Sequence, residues 1–204
     1  MSSDEVCFLE VIGKTLAGRS PQEIACDTRC YRHSAVLIPL FSHRGECRVL
    51  FTKRSETVEH HKSQISFPGG AVDDEDRSFE ETALREAWEE IGLRPVDICV
   101  VGRLDDIVTV ASNFVIHPYV GLIPYPYDFV LSPEEVEHVV TMPLRVFLPG
   151  ENRARGCKFE YMGETFHGPT FTFSGEVIWG ATARIMDKFV SLLADKISLP
   201  PGEK

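Results

Sequence analysis

Long apolar runs are missing from this 204-residue chain. Stretches such as residues 34–41 fall far short of the ~20 residues that cross a bilayer, so no membrane partner is expected. Basic residues are in deficit: 21 Lys and Arg against 31 Asp and Glu leave a formal net charge of -10. That balance argues against long nucleic acid as a partner, because binding a phosphate backbone takes a basic surplus. The six cysteines, at 7, 26, 30, 47, 99 and 157, include no Cys-x-x-Cys pair. Cys26 and Cys30 are the close ones, and they lack the second pair that completes a zinc site; reduced thiols in a cytoplasmic setting are expected. The start, MSSDEVCFLEV, has no basic n-region, and the Gly202-Glu203-Lys204 end carries no lipidation or retrieval tag. Repeats and low-complexity blocks are also absent. What is present is ordinary: 43% apolar and 25% charged residues, the balance of a globular domain. A chain of this length buries roughly 70% of its unfolded surface without covalent staples. One domain over residues 1–204 is the expectation.

Periodicity orders the chain. Phe8, Leu9, Val11, Ile12 and Leu16 predict an N-terminal helix, an extension over about residues 4–17. Two strand-like runs, 34–41 and 48–52, flank a hairpin turn at 42–46, and a third at 63–67 runs into Pro68-Gly69-Gly70. Ser78 and Glu81 have capping-box spacing and Gly92 is a helix stop, so a helix is predicted between them. Further strands are predicted at 98–102, 107–110, 114–123 and 136–142. A rigid aromatic loop (PYPYDF) is expected at 124–129, two or three short strands within 155–174, and a last helix near 179–196. The order predicts a mixed α+β fold, a β-sheet sandwiched between helices.

The informative stretch is residues 69–93, GGAVDDEDRSFEETALREAWEEIGL. At ~100° per residue, Glu90 lies about 40° to one side of Glu86 and Glu89 about 60° to the other. Leu84, Trp88 and Ile91 fall on the opposite side, so the helix reads as a carboxylate front and an apolar back. Three like charges on one face repel by a few tenths of a kcal/mol per pair. A bound cation offsets this, and Mg2+ suits oxygen ligands that leave room for water and phosphate. Arg85, on the same side, is placed to hold a carboxylate. A solvated acidic helix face is the competing reading of the charge pattern alone.

The run Arg85-Glu86-Ala87-Trp88-Glu89-Glu90-Ile91-Gly92-Leu93, preceded by Gly69-Gly70, resembles the signature of the Nudix hydrolases. Between Gly70 and Arg85 the chain carries one extra residue, and Asp76 stands where that signature has glutamate. The resemblance, with a box over 70–93, implies roles. Glu86, Glu89 and Glu90 would hold divalent metal, Mg2+ or Mn2+, together with the Gly70 carbonyl. Arg85 would orient a glutamate, and Asp76 would support the helix with a shorter side chain. It implies hydrolysis of a diphosphate linked to a further group, hence a small nucleoside diphosphate derivative as the bound partner.

The extra residue and Thr82-Ala83-Leu84-Arg85-Glu86 are most similar to the coenzyme A pyrophosphatase branch of that family. Leu50-Phe51-Thr52-Lys53-Arg54-Ser55, Phe67-Pro68-Gly69-Gly70, Glu135-Val136, Pro143-Leu144 and residues 178–185 look like the same branch. Coenzyme A or acyl-CoA is the implied substrate, with Arg54, Phe67 and Gly69 contacting it. Two positions depart from the branch: Glu59 replaces an arginine and Ser63 a glycine, and His60, His61 and Lys62 lie between them. The alternatives are another nucleoside diphosphate derivative, such as an ADP-sugar, a dinucleotide or an NTP, or a module that binds a nucleotide without cleaving it. Arg54 reads as a phosphate contact or a surface ion pair. Phe114, Tyr119 and Tyr125 read as adenine-stacking or packing residues. Glu135 or Glu137 reads as a remote base, an extra metal ligand or a surface acid. His117 and His138 are expected to be packed, and Trp179 to anchor the last helix on the sheet.

Overall fold

The computed structural model describes residues 3–24, 31–55, 64–109, 113–148, 153–161, 164–194 and 196. Glu59, His60, His61, Lys62 and Ser63 lie outside them. The chain runs α1 (Ser3–Ala17), β1 (Arg32–His43), β2 (Glu46–Arg54), β3 (Ile65–Ser66), β4 (Gly69–Ala71), α2 (Phe79–Ile91), β5 (Cys99–Arg103), β6 (Ile107–Thr109), β7 (Phe114–Leu122), β8 (Val136–Pro143), β9 (Arg153–Tyr161), β10 (Glu164–Phe173), β11 (Glu176–Ile178) and α3 (Gly180–Leu193). Short 3-10 turns occur at Pro95–Asp97 and Leu144–Phe147.

β1 is the axis of the main sheet. It pairs in parallel with β7, Arg32 to Leu40 against Phe114 to Leu122. On its other side it meets β2 at its C-terminal end and the short β4 at its N-terminal end, both antiparallel. The β1–β2 hairpin closes on Arg44 and Gly45, both at positive φ (52° and 84°), the geometry whose twist matches two antiparallel strands. β8 extends the sheet beyond β2, and β5 and β6 flank β7. A separate three-stranded sheet runs β11-β10-β9.

The apolar run in β1 is continuous rather than alternating because both faces are covered. Ala35, Leu37 and Phe41 pack with Ala83, Ala87 and Ile91 of α2. Ile38 and Leu40 pack on the other face with Ile12 and Leu16 of α1 and Ile185, Met186, Phe189 and Val190 of α3. Phe41, Phe51, Phe147, Phe171 and Phe189 are fully buried, each worth about 2 kcal/mol of transfer free energy. The predicted sandwich is therefore the observed one.

The helix that carries the carboxylates buries a different face from the one expected. Thr82, Ala83, Ala87, Glu90 and Ile91 are buried, Leu84 is half-buried, and Trp88 is 48% exposed. The small side chains of Ala83 and Ala87 let α2 lie close on β1 and β4. The inward stripe is consequently centred on the alanines, not on Leu84 and Trp88. That rotation carries Glu90 inward and leaves Glu89 outward, so the carboxylates do not share one solvent-facing front.

Candidate active site

Ser78 caps α2, its side-chain oxygen accepting from the Glu81 N–H, and Gly92 ends the helix in the left-handed region (φ 67°). Glu81 does not complete the box at Ser78; its carboxylate accepts from the Arg77 N–H and guanidinium instead. Beyond the helix, Val130 N–H donates to the Ile91 carbonyl and Ser132 N–H to the Glu90 carbonyl, at 3.1 and 2.9 Å. These bonds satisfy carbonyls that a helix end leaves open, and they tie the approach to β8 onto α2.

The guanidinium of Arg85 is the hub of the site. Its Nε and Nη2 donate to the two oxygens of Asp76, both at 2.9 Å. Its Nη1 donates to Glu86 at 2.9 Å and to Glu89 at 2.8 Å. Nη2 also donates to the Ala71 carbonyl at 3.1 Å, joining helix to strand. Asp76 accepts further bonds from Thr82 Oγ1 (2.8 Å) and the Asp73 N–H (2.9 Å). The shorter side chain thus reaches Arg85 in full bidentate contact. The Arg85 hydrogen bonds, first among its influences, hold the Asp76 carboxyl at about 2, and Asp76 chiefly raises the Arg85 guanidinium in return.

The glutamates sit in three environments. Glu89 is half-exposed. Burial raises the pKa of Glu86, against the pull of Arg85. Glu90 is 2% exposed and burial pushes it up to about 8; Arg54 and a hydrogen bond from Gly69 oppose the shift, while Glu86 and Glu135 add to it. Its Oε2 is buried with no hydrogen-bond partner among the described residues, which is costly unless a ligand or ion satisfies it.

The glycine pair fits this corner because nothing larger does. A Cβ on Gly70 would lie 2.5 Å from the Glu86 carboxylate, and one on Gly69 (φ 153°) 2.4 Å from the Ala35 carbonyl. Among the described residues no three His, Cys, Asp or Glu side chains already converge as a metal-binding set; Glu86 and Glu89 are turned onto Arg85. The donor set nevertheless suits a hard divalent cation, with three carboxylates, a glycine backbone close by and one buried oxygen lacking a partner.

A cavity of about 630 Å³ opens beside the glycines, between β4 with the start of β1 and the β10–α3 segment, with Arg54, Phe67 and Gly69 on its wall. Arg54 stands at a register shift between β2 and β8, a bulge that re-aims a side chain. Its Nε is buried without a partner among the described residues. Phe67 is 3% exposed and stacks on Phe51 at 4.9 Å, so it contributes as much to the core as to the wall.

Of the two remote carboxylates, Glu135 is the one that acts electrostatically on Glu86 and Glu90; Glu137 pairs with His138 at the surface, 3.4 Å away. His138, expected to be packed, is 45% exposed, because the side chain turns out from the β8 edge. His117 is packed, as expected. Its Nδ1 meets Asp106 at 2.8 Å and its Nε2 meets His33 at 2.9 Å, with the Phe79 ring stacked 3.6 Å away. Nothing in the spacing of His33, Asp106 and His117 announced that network; strand register makes it. Tyr119 is buried and Tyr125 stacks on Phe41 at 4.2 Å, both packing roles. Phe114 faces the cavity and carries the Arg32 guanidinium 5.0 Å from its ring centroid. Trp179 is half-buried and lines the cavity rather than joining the sheet–helix core.

An α+β sandwich with an Arg-anchored carboxylate helix against a glycine corner defines a class, and comparison with known proteins agrees with it. The NUDIX domain model matches residues 31–158. "Nudix hydrolase 22, chloroplastic" of Arabidopsis thaliana is 40% identical over 84% of this chain and 57% of its own length. "Uncharacterized Nudix hydrolase NudL" of Cronobacter sakazakii is 35% identical over 81% of this chain and 84% of its own. A MutT/nudix family protein from Enterococcus faecalis shares the fold, with a TM-score of 0.57 at 15% identity over 96% of this chain and 71% of that one. The chain belongs to the Nudix hydrolase family. It spans about three fifths of the length of two plant relatives it matches. No helix among the described residues is long and apolar enough to cross a membrane.

Proposed function

We propose that this protein hydrolyses the diphosphate linkage of coenzyme A or an acyl-CoA in a Mg2+-dependent reaction, with Mn2+ as a substitute. The observation that carries the hydrolase reading is the carboxylate corner of α2 against Gly70: Glu86 and Glu89 are held by Arg85, and Glu90 is buried with one oxygen that has no hydrogen-bond partner among the described residues. Coenzyme A is favoured by the run 50–55, the Phe67-Pro68-Gly69-Gly70 segment and residues 178–185. The cavity beside the glycines leaves room for a large group beyond the phosphates.

Glu86, Glu89 and Glu90, with the Gly70 carbonyl, would hold the cation, and Glu86 and Glu89 would turn from Arg85 to reach it. Arg85, still gripped by Asp76, keeps the helix and the β4 strand in register. When bound, a divalent cation supplies a water of lowered pKa and neutralises charge on the phosphate oxygens. Glu135 takes the proton of the attacking water. Arg54 faces a substrate phosphate at the cavity wall. One P–O bond forms from water and the anhydride P–O bond breaks, giving 3',5'-ADP and 4'-phosphopantetheine.

The test is a substrate panel with Mg2+: coenzyme A, dephospho-coenzyme A, an ADP-sugar and a dinucleotide, with products identified by mass. The highest kcat/KM on coenzyme A or its acyl forms is expected. A higher value on the ADP-sugar or dinucleotide would move the substrate to that class. Binding of any of them without turnover in Mg2+ or Mn2+ would favour a nucleotide-binding module instead.

A further inference from the structure

We infer that the cavity between the main sheet and the β10–α3 segment receives the uncharged arm of the substrate, and that Trp179, Ala181 and Ile185 set how long an arm it accepts. The inference rests on the hydrolase reading above and extends it to a part of the chain beyond the family match, which ends at residue 158. Three observations point the same way. The cavity shares Gly69, Gly70 and Ala71 with the carboxylate corner, and Gly70 lies directly against Glu86, so one end of a diphosphate held there opens onto this space. At about 630 Å³ it lies in the range of pockets that enclose whole organic ligands and far exceeds what a phosphate fills. Its walls are built mainly from apolar groups, among them Val36, Phe114, Ile116, Pro169, Trp179 and Ile185. Arg54 and Arg184 also line it, Arg184 donating to the Val108 carbonyl; the apolar groups beyond them suit the methylene and thioester parts of a substrate.

The wall across from β4 is the first two turns of α3. Ile185 is 2% exposed and fixed by the core, whereas Ala181 is half-buried and small, so the helix closes the cavity with a rigid residue and leaves room at the other. Each methylene that enters is worth about 0.8 kcal/mol, or roughly fourfold in kcat/KM.

The experiment compares coenzyme A with its acetyl, butyryl and hexanoyl thioesters and with the methyl ester of ADP, which has no arm. It uses the full chain, with Ala181→Phe and, should that variant fold poorly, Thr182→Phe. Wild type is expected to gain about threefold to fourfold in kcat/KM per methylene until the cavity fills. The filled variants lose that gain through KM, while hydrolysis of the ADP methyl ester stays within about twofold. Ile185→Val moves the optimum toward a longer chain. Binding of the same thioesters in EDTA, followed by Trp179 fluorescence in a Trp88→Phe background, must show the same chain-length order. A flat chain-length profile in binding and turnover, or a gain that survives both Ala181→Phe and Thr182→Phe, overturns the inference. No turnover of any diphosphate, with the chain-length order intact in binding, overturns the hydrolase reading and leaves the cavity's role standing.

Discussion

Arg85 makes five hydrogen bonds from one guanidinium, to Asp76, Glu86, Glu89 and the Ala71 carbonyl. The contact with Asp76 has the clearest pH signature. The Asp76 carboxyl is held at about 2 against an ordinary 3.8, chiefly by Arg85. Its stabilisation is therefore fully present above about pH 4 and fades as pH falls toward 2. With Arg85 partly open to solvent, the contribution is on the order of 1–2 kcal/mol. Asp76→Asn is expected to lose that amount at pH 7 in urea denaturation and almost none at pH 2. An equal loss at both would mean that Asp76 acts through packing rather than charge.

Glu89 and Glu90 separate on stability. Both Glu→Gln changes are expected to lower kcat by ~100-fold or more, as removal of a metal ligand does. Glu89→Gln leaves stability within about 0.5 kcal/mol, because the side chain is half-exposed. Glu90→Gln leaves the metal-free protein as stable or more so, since it removes a buried, poorly compensated carboxylate. Near-wild-type turnover in either variant would contradict their assignment as metal ligands. Spacing placed the three glutamates on one helix, and the family resemblance made them candidate metal ligands. The split between a buried Glu90 and an outward Glu89 was not legible in sequence, because it depends on how far α2 is rotated on β1.

At the scale of elements, α2 is where sequence and packing part company. Its boundaries follow from Ser78 and Gly92, which act through local backbone geometry and so can be read locally. Its buried face does not, because large apolar side chains suggested Leu84 and Trp88, whereas close approach to the sheet selected Ala83 and Ala87. Ser78→Ala is expected to cost about 1 kcal/mol in thermal or urea unfolding. Its effect on kcat is smaller than that of the Glu→Gln variants, since Arg85 and Asp76 still pin the first turns. A loss of activity on the scale of Glu90→Gln, in a folded Ser78→Ala protein, would show that the cap positions the site more tightly than Arg85 does. The strands were read well where patterns are local, as in the β1–β2 hairpin. The three-residue β4, whose glycines give no pattern, and β11 became visible only through long-range pairing.

Across the whole molecule, the sheet brings together what the chain separates. Parallel pairing of β1 with β7 aligns His33 with Val115 and Ser34 with Ile116. Pairing of β1 with β4 sets Gly70 opposite Ala35, beneath α2. The Ser132–Glu90 backbone bond brings the segment bearing Glu135 to the C-terminal end of the carboxylate helix. No local pattern encodes such contacts, which is why the sequence left Glu135 and Glu137 equal and tertiary structure distinguishes them. The α3 segment closes the cavity from the far side, so a wall from the C-terminal part of the chain faces the carboxylate corner built by β4 and α2 in its middle.

If carboxylates of α2 hold divalent metal and that metal drives hydrolysis of a diphosphate, turnover depends on both. The most direct measurement is turnover of coenzyme A by wild type and Glu90→Gln in Mg2+ and in excess EDTA, after removal of tightly bound metal, with products identified by mass. The expected result is 3',5'-ADP and 4'-phosphopantetheine from wild type in Mg2+, none in EDTA, and at least ~100-fold less from Glu90→Gln in Mg2+. Turnover that persists in EDTA, or a Glu90→Gln rate equal to that of wild type, would contradict the claim.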